Sequence, residues 1–428
     1  MSVPNQAIIT DIDNNLKSNL ICDSDAIQSS LCVIKKSSLG GRGLFTRKRI
    51  EKGSLIFTNK ALAIGPRNCD LDTTFCAYCY KTCEDCNYCE KCGLAVCCVN
   101  CETSPMHLTE CIFITTHWKP KFNVTKTKIL GRMRIYIQLY QLSSQLKESL
   151  LFYQLDNPSM FYELEYLCSG FVIPNEQIEF IKIVHSILKI NSFRIPTNDR
   201  EKTIPLRGLF PLAAFLNHNC VPNTRNVFKN NNVMEVYASR DIELGEEIFT
   251  CYTNFLWCTP VRRYQLYKSK NFWCKCTRCK DPYEKGTNLS AIKCFDKHCT
   301  GAILPENPIN PSSGWLCDTC RSKIPIEKIN SAQNIVGSLV RIISEDKDIN
   351  PNGIVLKRLE SFLPPCSHIF VDIHLRWALK LGYFEGMSLY GILKYIKYFL
   401  SYQLSANITN IDLQIITSKQ MRKAMKYF

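Results

Sequence analysis

Asn217-His218-Asn219-Cys220-Val221-Pro222-Asn223 gathers three carboxamides, an imidazole and a thiol behind the apolar run Leu209 to Leu216. Alone, it reads as a polar turn, because Asn and Pro favour chain reversal. Its company raises the stakes. Downstream come Gly245-Glu246-Glu247-Ile248-Phe249-Thr250-Cys251-Tyr252, ending in a phenol, and Phe272-Trp273-Cys274-Lys275-Cys276-Thr277-Arg278-Cys279, with three thiols. Upstream lies the glycine turn Gly40-Gly41-Arg42-Gly43-Leu44-Phe45. Three soft ligands at Cys274, Cys276 and Cys279 call for zinc, and a tetrahedral site needs a fourth donor.

The chain holds 25 cysteines in 428 residues. Met1 to Ser30 is polar and acidic without a basic-then-apolar pattern, so no secretory signal is expected and the segment reads as a flexible extension. The nucleus and cytoplasm are then the expected setting, where paired CxxC spacings mean zinc rather than disulfides. From Cys76 to Cys111 the spacing runs Cys76-x2-Cys79, Cys89-x2-Cys92, Cys97-x3-Cys101 and His107-x3-Cys111, eight ligands for two tetrahedral sites. Cys83, Cys86 and Cys98 lie in the same segment, and Cys83-x2-Cys86 and Cys86-x2-Cys89 are rival pairs. The competing reading is a redox-reactive cysteine cluster, against which the His-x3-Cys ending argues. So short a segment buries little core, so metal must supply most of its folding free energy. Cys294-x4-Cys299 and Cys317-x2-Cys320 read as a further zinc ribbon, with His298 a rival ligand. Fifteen thiolates balanced by four Zn²⁺ would lower the formal net charge from +15 to +8. That basicity is mild, and no basic run reaches five residues, so nucleic-acid binding is not expected. No run of 18 apolar residues is present, so a membrane span is not expected either.

The order glycine turn, NHxCxPN, GEExxxxY and CxCxxC resembles the SET lysine methyltransferase domain with its post-SET segment. The module from Cys76 to Cys111 resembles a MYND finger. A MYND finger between the glycine turn and NHxCxPN is the signature of the SET and MYND (SMYD) family, and the resemblance covers roughly residues 31 to 330. It looks closest to the arthropod SmydA-like branch, through Gly40 to Phe45 and Arg278-Cys279-Lys280-Asp281-Pro282-Tyr283-Glu284-Lys285-Gly286-Thr287. The resemblance implies an interleaved finger, with Cys76, Cys79, Cys97 and Cys101 on one ion and Cys89, Cys92, His107 and Cys111 on the other. It also implies Cys220 as the fourth ligand beside Cys274, Cys276 and Cys279. S-adenosylmethionine (AdoMet) is the implied cofactor. Gly41, Arg42 and Gly43 would lie against it, where a Cβ would obstruct close approach, with Asn191 of Asn191-Ser192-Phe193, Asn217, His218, Tyr252 and Phe272. Asn223 would hold a knot-like crossing of two segments. The family commonly has NHSC, and Asn219 here replaces the Ser while keeping a polar residue.

The elements that must position these groups follow from periodicity. Leu31 to Lys36, Ser54 to Phe57 and Val233 to Ala238 read as strands, and Arg240 to Gly245 as the turn into another. Residues 124–190 are mostly helical by the spacing of Ile129, Met133, Ile137, Phe180, Ile183, Val184 and Ile187. A helix is expected to begin at Thr259 with Pro260 in its first turn, and roughly five helices follow Ile326, among them Ser331 to Ser344 and Phe370 to Leu381. The fold class is therefore α+β and zinc-rich, a β-rich SET fold split by a MYND finger. Its expected domains are an extension 1–30, SET 31–75, finger 76–111, helical insertion 112–190, catalytic core 191–253, post-SET and ribbon-like segment 254–324, and a helical TPR-like domain 325–428. That last array is short for the family, which bears on its peptide-binding groove.

Methyl transfer from a sulfonium to an amine is an in-line displacement without a covalent intermediate, so alignment of nitrogen, methyl and sulfur is the main task. Tyr252 is the expected catalytic residue, its hydroxyl aimed at the transferring methyl and the lysine nitrogen. The leading reading is a monomeric protein-lysine N-methyltransferase acting on histone or non-histone lysines, in transcriptional regulation. The alternative, from another class, is a non-catalytic scaffold whose finger binds proline-rich peptides of transcriptional corepressors.

Overall fold

A computed structural model describes residues 31–67, 73–84, 86–118, 124–153, 164, 168, 171–196, 204–229, 232–345 and 354–373. The expected N-terminal extension 1–30 lies outside the described residues, as does 374–428 of the expected helical domain. The chain divides into two compact units, Met1–Asn217 with Pro222–Thr250, and His218–Val221 with Cys251–Phe428. Each is taken by itself.

In the first unit the strands are β1 (Cys32–Lys36), β2 (Arg42–Thr46), β3 (Leu55–Lys60), β4 (Ala63–Pro66), β5 (Asn87–Tyr88), β6 (Ala95–Val96), β7 (Phe193–Ile195) and β8 (Leu206–Leu209). The chain leaves the unit in β9 (Asn217–His218) and returns for β10 (Thr224–Lys229), β11 (Val233–Ala238) and β12 (Glu247–Thr250). β2 is the middle strand between β1 and β12, antiparallel to both, with Lys36 opposite Arg42 and Glu247 opposite Phe45. The turn joining β1 to β2 needs left-handed backbone at Gly40 and Gly41 (φ +100° and +66°), which glycine adopts without steric cost. Two further antiparallel sheets run in the orders β10-β11-β3 and β4-β8-β7. Strict alternation in β11 turns Met234, Val236 and Ala238 inward, as its sequence period requires.

The helices Val124–Tyr140 and Asn175–Asn191 pack together, the first of them also against β4. Leu130, Met133, Ile135 and Tyr136 from one, and Ile181, Val184, Ile187 and Leu188 from the other, join Leu44, Ile56, Phe57 and Ile248 in a single core. Each such side chain contributes about 1.5–3 kcal/mol on burial. The finger shares this core through Tyr80, Leu94 and Phe113, and a buried ion pair fastens it. Arg134 Nε and Nη2 donate to the two carboxylate oxygens of Glu110, on the helix Pro105–Phe113, at 2.5 and 2.9 Å. Tyr80 lies under the same guanidinium at 5.3 Å and donates its hydroxyl to the Ile64 carbonyl at 2.9 Å.

In the second unit Thr259–Lys270 is helical from Thr259, with Pro260 in the first turn where no N–H is missed, and it ends at left-handed Asn271. A short helix Thr277–Lys280 follows. Then β13 (Ile292–Lys293), β14 (Ala302–Pro305), β15 (Trp315–Cys317) and β16 (Lys323–Ile324) form an antiparallel meander. The amphipathic helix Ile326–Glu345 contains the expected Ser331 to Ser344, and its Val336, Leu339 and Ile343 pack on Leu356 and Leu359 of Ile354–Phe362. Of the expected helix Phe370 to Leu381, residues 370–373 are helical and the remainder lies outside the described residues.

Candidate functional site

Within the first unit, Glu247 is the hub. It is buried at the start of β12, accepts from Ser37 Oγ at 2.9 Å through Oε2, and from Asn217 Nδ2 at 2.7 Å through Oε1. Asn217 Nδ2 also donates to the Arg42 carbonyl at 3.0 Å, so the NHxCxPN stretch and the glycine turn are tied at the backbone. A Cβ at Gly43 would overlap the Glu247 carboxylate and come 2.9 Å from Asn217 Nδ2, so here the chain's own groups exclude a side chain. At Gly40 and Gly41 a Cβ would meet nothing within 4 Å, which leaves that side of the turn open for a ligand.

Arg42 lies with its guanidinium 5.4 Å from the Phe215 ring, and burial lowers its pKa. Phe215 packs on Tyr153, whose hydroxyl donates to the Pro211 carbonyl at 3.0 Å. Asn191, the last residue of its helix, donates from Nδ2 to the Tyr153 carbonyl at 3.2 Å. Gly43, Arg42, Asn191 and Asn217 are thus brought to one neighbourhood. Asn223, fully buried, donates from Nδ2 to the Glu247 carbonyl at 2.8 Å and accepts from the Phe249 amide at 2.7 Å, fastening β12 to the turn.

Within the second unit, His218 is buried between two aromatic rings, 5.3 Å from Tyr252 and 6.0 Å from Phe272 by ring centroids. Its Nδ1 takes the Tyr252 amide at 3.0 Å and its Nε2 lies 3.2 Å from Cys220 Sγ. The amide can only donate, so that bond requires Nδ1 unprotonated and the proton of a neutral ring on Nε2. A zinc ion drawing on Cys220 favours this neutral form. Lys270 Nζ stands 5.3 Å from the Tyr252 ring. Asn219, in place of the family's Ser, accepts from the Val221 amide at 2.9 Å and so keeps the turn.

Among the described residues, four ligand sets stand ready for metal. The donor atoms of Cys76, Cys79, Cys97 and Cys101 all lie within 4.8 Å of one another, as do those of Cys89, Cys92, His107 and Cys111, of Cys220, Cys274, Cys276 and Cys279, and of Cys294, Cys299, Cys317 and Cys320. A tetrahedron with Zn–S of about 2.3 Å has sulfur-to-sulfur edges of roughly 3.8 Å. The observed edges match. Cys220 is 3.9 Å from Cys274 and 3.6 Å from Cys279, Cys79 is 3.7 Å from Cys97, Cys89 is 3.9 Å from Cys111, and Cys294 is 3.7 Å from Cys320. His107 turns Nε2 towards Cys92 and gives Nδ1 to the Glu102 carbonyl, the orienting contact a ligating imidazole needs. Cys83 and Cys86 pair with each other, Cys98 is exposed, and His298 belongs to none of the four sets. Hydrogen bonds with Cys274, Cys276 and Cys279 drive the Cys220 thiol far below its ordinary pKa, towards the thiolate a metal binds.

Sequence reasoning passed over the groups that support Cys220. Arg262 is fully buried, donates from Nε to Cys220 Sγ at 3.3 Å, and pairs through Nη1 with Glu284 Oε2 at 2.7 Å. Arg278 Nη1 reaches the Cys220 carbonyl at 3.4 Å. Glu284, Lys285 and Asn288 all hold positive φ (50°, 60° and 52°), a costly backbone for non-glycine residues that sets the Glu284 carboxylate beneath Arg262. No local signal separates Arg262 from Arg263. Glu247, Arg278 and Glu284 did stand inside recognised motifs, without roles attached.

A family model described as the SET domain matches residues 41–253. Among curated proteins, the Drosophila melanogaster SET domain-containing protein SmydA-8, isoform A, is 29% identical over 82% of this chain and 79% of its own length. The Arabidopsis thaliana histone-lysine N-methyltransferase ASHR1 is 26% identical over 80% and 75%, and the Gallus gallus N-lysine methyltransferase SMYD2 is 26% identical over 85% and 83%.

Proposed function

From the premise that this chain belongs to the SET and MYND (SMYD) family, with its arthropod SmydA-like branch, we propose that it methylates lysines of histone or other proteins in transcriptional regulation. The activity is protein-lysine N-methylation with AdoMet as methyl donor, in a protein with a complement of zinc. The observation that carries it is the tie of Asn217 to the Arg42 carbonyl and Glu247, together with the bond from the Tyr252 amide to His218.

AdoMet, when bound, supplies the electrophilic methyl group. The rest falls to the chain. Gly41, Arg42, Gly43, Asn191 and Asn217 would hold the cofactor, with the open side of the Gly40–Gly41 turn giving it room. His218, Tyr252 and Phe272 are the further residues that the resemblance assigns to it. Tyr252 orients the reacting groups and meets the developing charge with its phenol dipole, a preorganised contribution that water cannot match. Phe272, half-buried against Cys220, Leu266 and Tyr252, keeps water out. Zinc clusters rich in thiolate suit the reducing nucleus and cytoplasm, where this reading puts the protein.

The finger also exposes Tyr78, Tyr88, Met106, Leu108 and Ile112. These favour a second role in docking proline-rich peptides, for which aromatic surfaces are the usual receptor. AdoMet binding to the zinc-loaded chain, followed by calorimetry, tests the main reading. One-site binding that Asn217→Ala weakens at least tenfold is expected, and absence of binding by the folded chain overturns it.

A further inference from the structure

We propose that His218 couples the zinc site at Cys220 to the backbone of Tyr252, and so acts as a positioning residue for the phenol as well as a neighbour of the cofactor. The inference deepens the methyltransferase reading and rests on it for the role of Tyr252.

The argument starts from what each atom can do. The Tyr252 backbone N–H has no lone pair to offer, so at 3.0 Å it donates and His218 Nδ1 accepts. A neutral imidazole then carries its proton on Nε2, and Nε2 stands 3.2 Å from Cys220 Sγ. A sulfur bound to zinc keeps lone pairs to accept that N–H. The ring therefore has one assigned tautomer, with a zinc ligand at one nitrogen and the amide of the key tyrosine at the other. It has little freedom to leave this pose, being 5% exposed and packed between Tyr252 and Phe272.

The zinc side of the link is built rather than incidental. A zinc ion with four thiolates carries a net charge of about −2, which is costly to bury without donors. Arg262 supplies one, placing Nε 3.3 Å from Cys220 Sγ and Nη2 3.9 Å from Cys279 Sγ. Its own charge is held by Glu284, and its Nη2 also donates to Thr259 Oγ1 at 2.8 Å. Cys220 thus receives two N–H donors, from His218 and Arg262. Partners of this kind tune metal affinity and orient ligands, typically by 10–100-fold in affinity or activity when lost. Here the partner's other nitrogen fixes where the Tyr252 backbone sits.

Two substitutions split the link. His218→Asn keeps an acceptor near the Nδ1 position and loses the donor to sulfur. His218→Gln keeps an N–H near the Nε2 position and loses the acceptor for Tyr252. In full-length protein loaded with Co²⁺, His218→Asn is expected to shift the thiolate-to-cobalt charge-transfer band and speed chelator-driven release of one metal equivalent at least fivefold. His218→Gln is expected to leave the band near that of the unaltered protein and lower kcat by tenfold or more. A third measurement needs no His218 variant. In ¹⁵N-tyrosine-labelled protein the Tyr252 amide, identified by its loss in Tyr252→Phe, is expected to shift when cadmium replaces zinc.

An unchanged cobalt band and release rate in folded His218→Asn would overturn the link to sulfur. A Tyr252 amide indifferent to the metal would overturn the link to tyrosine. Neither readout requires turnover, so failure of the methyltransferase reading would show separately, as absent methyl transfer beside intact spectroscopic coupling.

Discussion

Asn223 holds both ends of its amide against strand β12, donating to the Glu247 carbonyl and accepting from the Phe249 amide. Replacing it by alanine leaves two buried backbone groups without partners, at about 1–3 kcal/mol each. Asn223→Ala should therefore lower the urea midpoint clearly without changing the slope, and an unaltered midpoint would refute this account of the crossing. Residues of this scale were unevenly legible. The thiol ligands declare themselves because a zinc chelate made of neighbours leaves a fixed spacing, as in Cys76-x2-Cys79 and Cys274-x-Cys276-x2-Cys279. Glu247, Arg262 and Glu284 do not. Their partners are Ser37, Cys220 and Arg262, far away in sequence, and their residue types are common on ordinary surfaces.

At the level of elements, single strands and helices were legible and their pairings were not. Val233 to Ala238 is a strand with the expected bounds, and Thr259 begins the expected helix, because alternation and a first-turn proline are local signals. That β2 runs between β1 and β12, or that β3 borders β11, follows from burial of faces that only the assembled core defines. The docking of the finger was equally hidden, since it depends on Arg134 and Glu110, on two different helices. Their side chains are 1% and 2% exposed, so removing one partner strands a buried charge. Arg134→Met should cost about 3–5 kcal/mol, and the double replacement Arg134→Met with Glu110→Met should recover much of that loss. Thermal unfolding of the two variants checks the pair. Equal losses in both would mean that packing rather than charge holds the finger in place.

At the scale of the molecule, the ligand geometry among the described residues implies four zinc ions, two in the finger, one at Cys220 and one in the ribbon β13 to β16. Elemental analysis of protein purified in zinc should return about four equivalents. Cys294→Ser combined with Cys317→Ser should return about three, with the finger and the Cys220 site still loaded. Retention of four would remove the ribbon from the list of metal sites. The ribbon joins the post-SET segment to the helix Ile326–Glu345, so its loss is expected to loosen that helix before the rest of its unit.

The central proposal is that Tyr252 serves methyl transfer to lysine. The direct measurement is transfer of a labelled methyl from AdoMet to lysine-containing proteins by the zinc-loaded chain, beside Tyr252→Phe. The account predicts label on lysine, with kcat reduced about 100-fold or more in the variant at similar AdoMet affinity. Undiminished transfer by a folded Tyr252→Phe, or bound AdoMet with no lysine labelled in any protein offered, would contradict it.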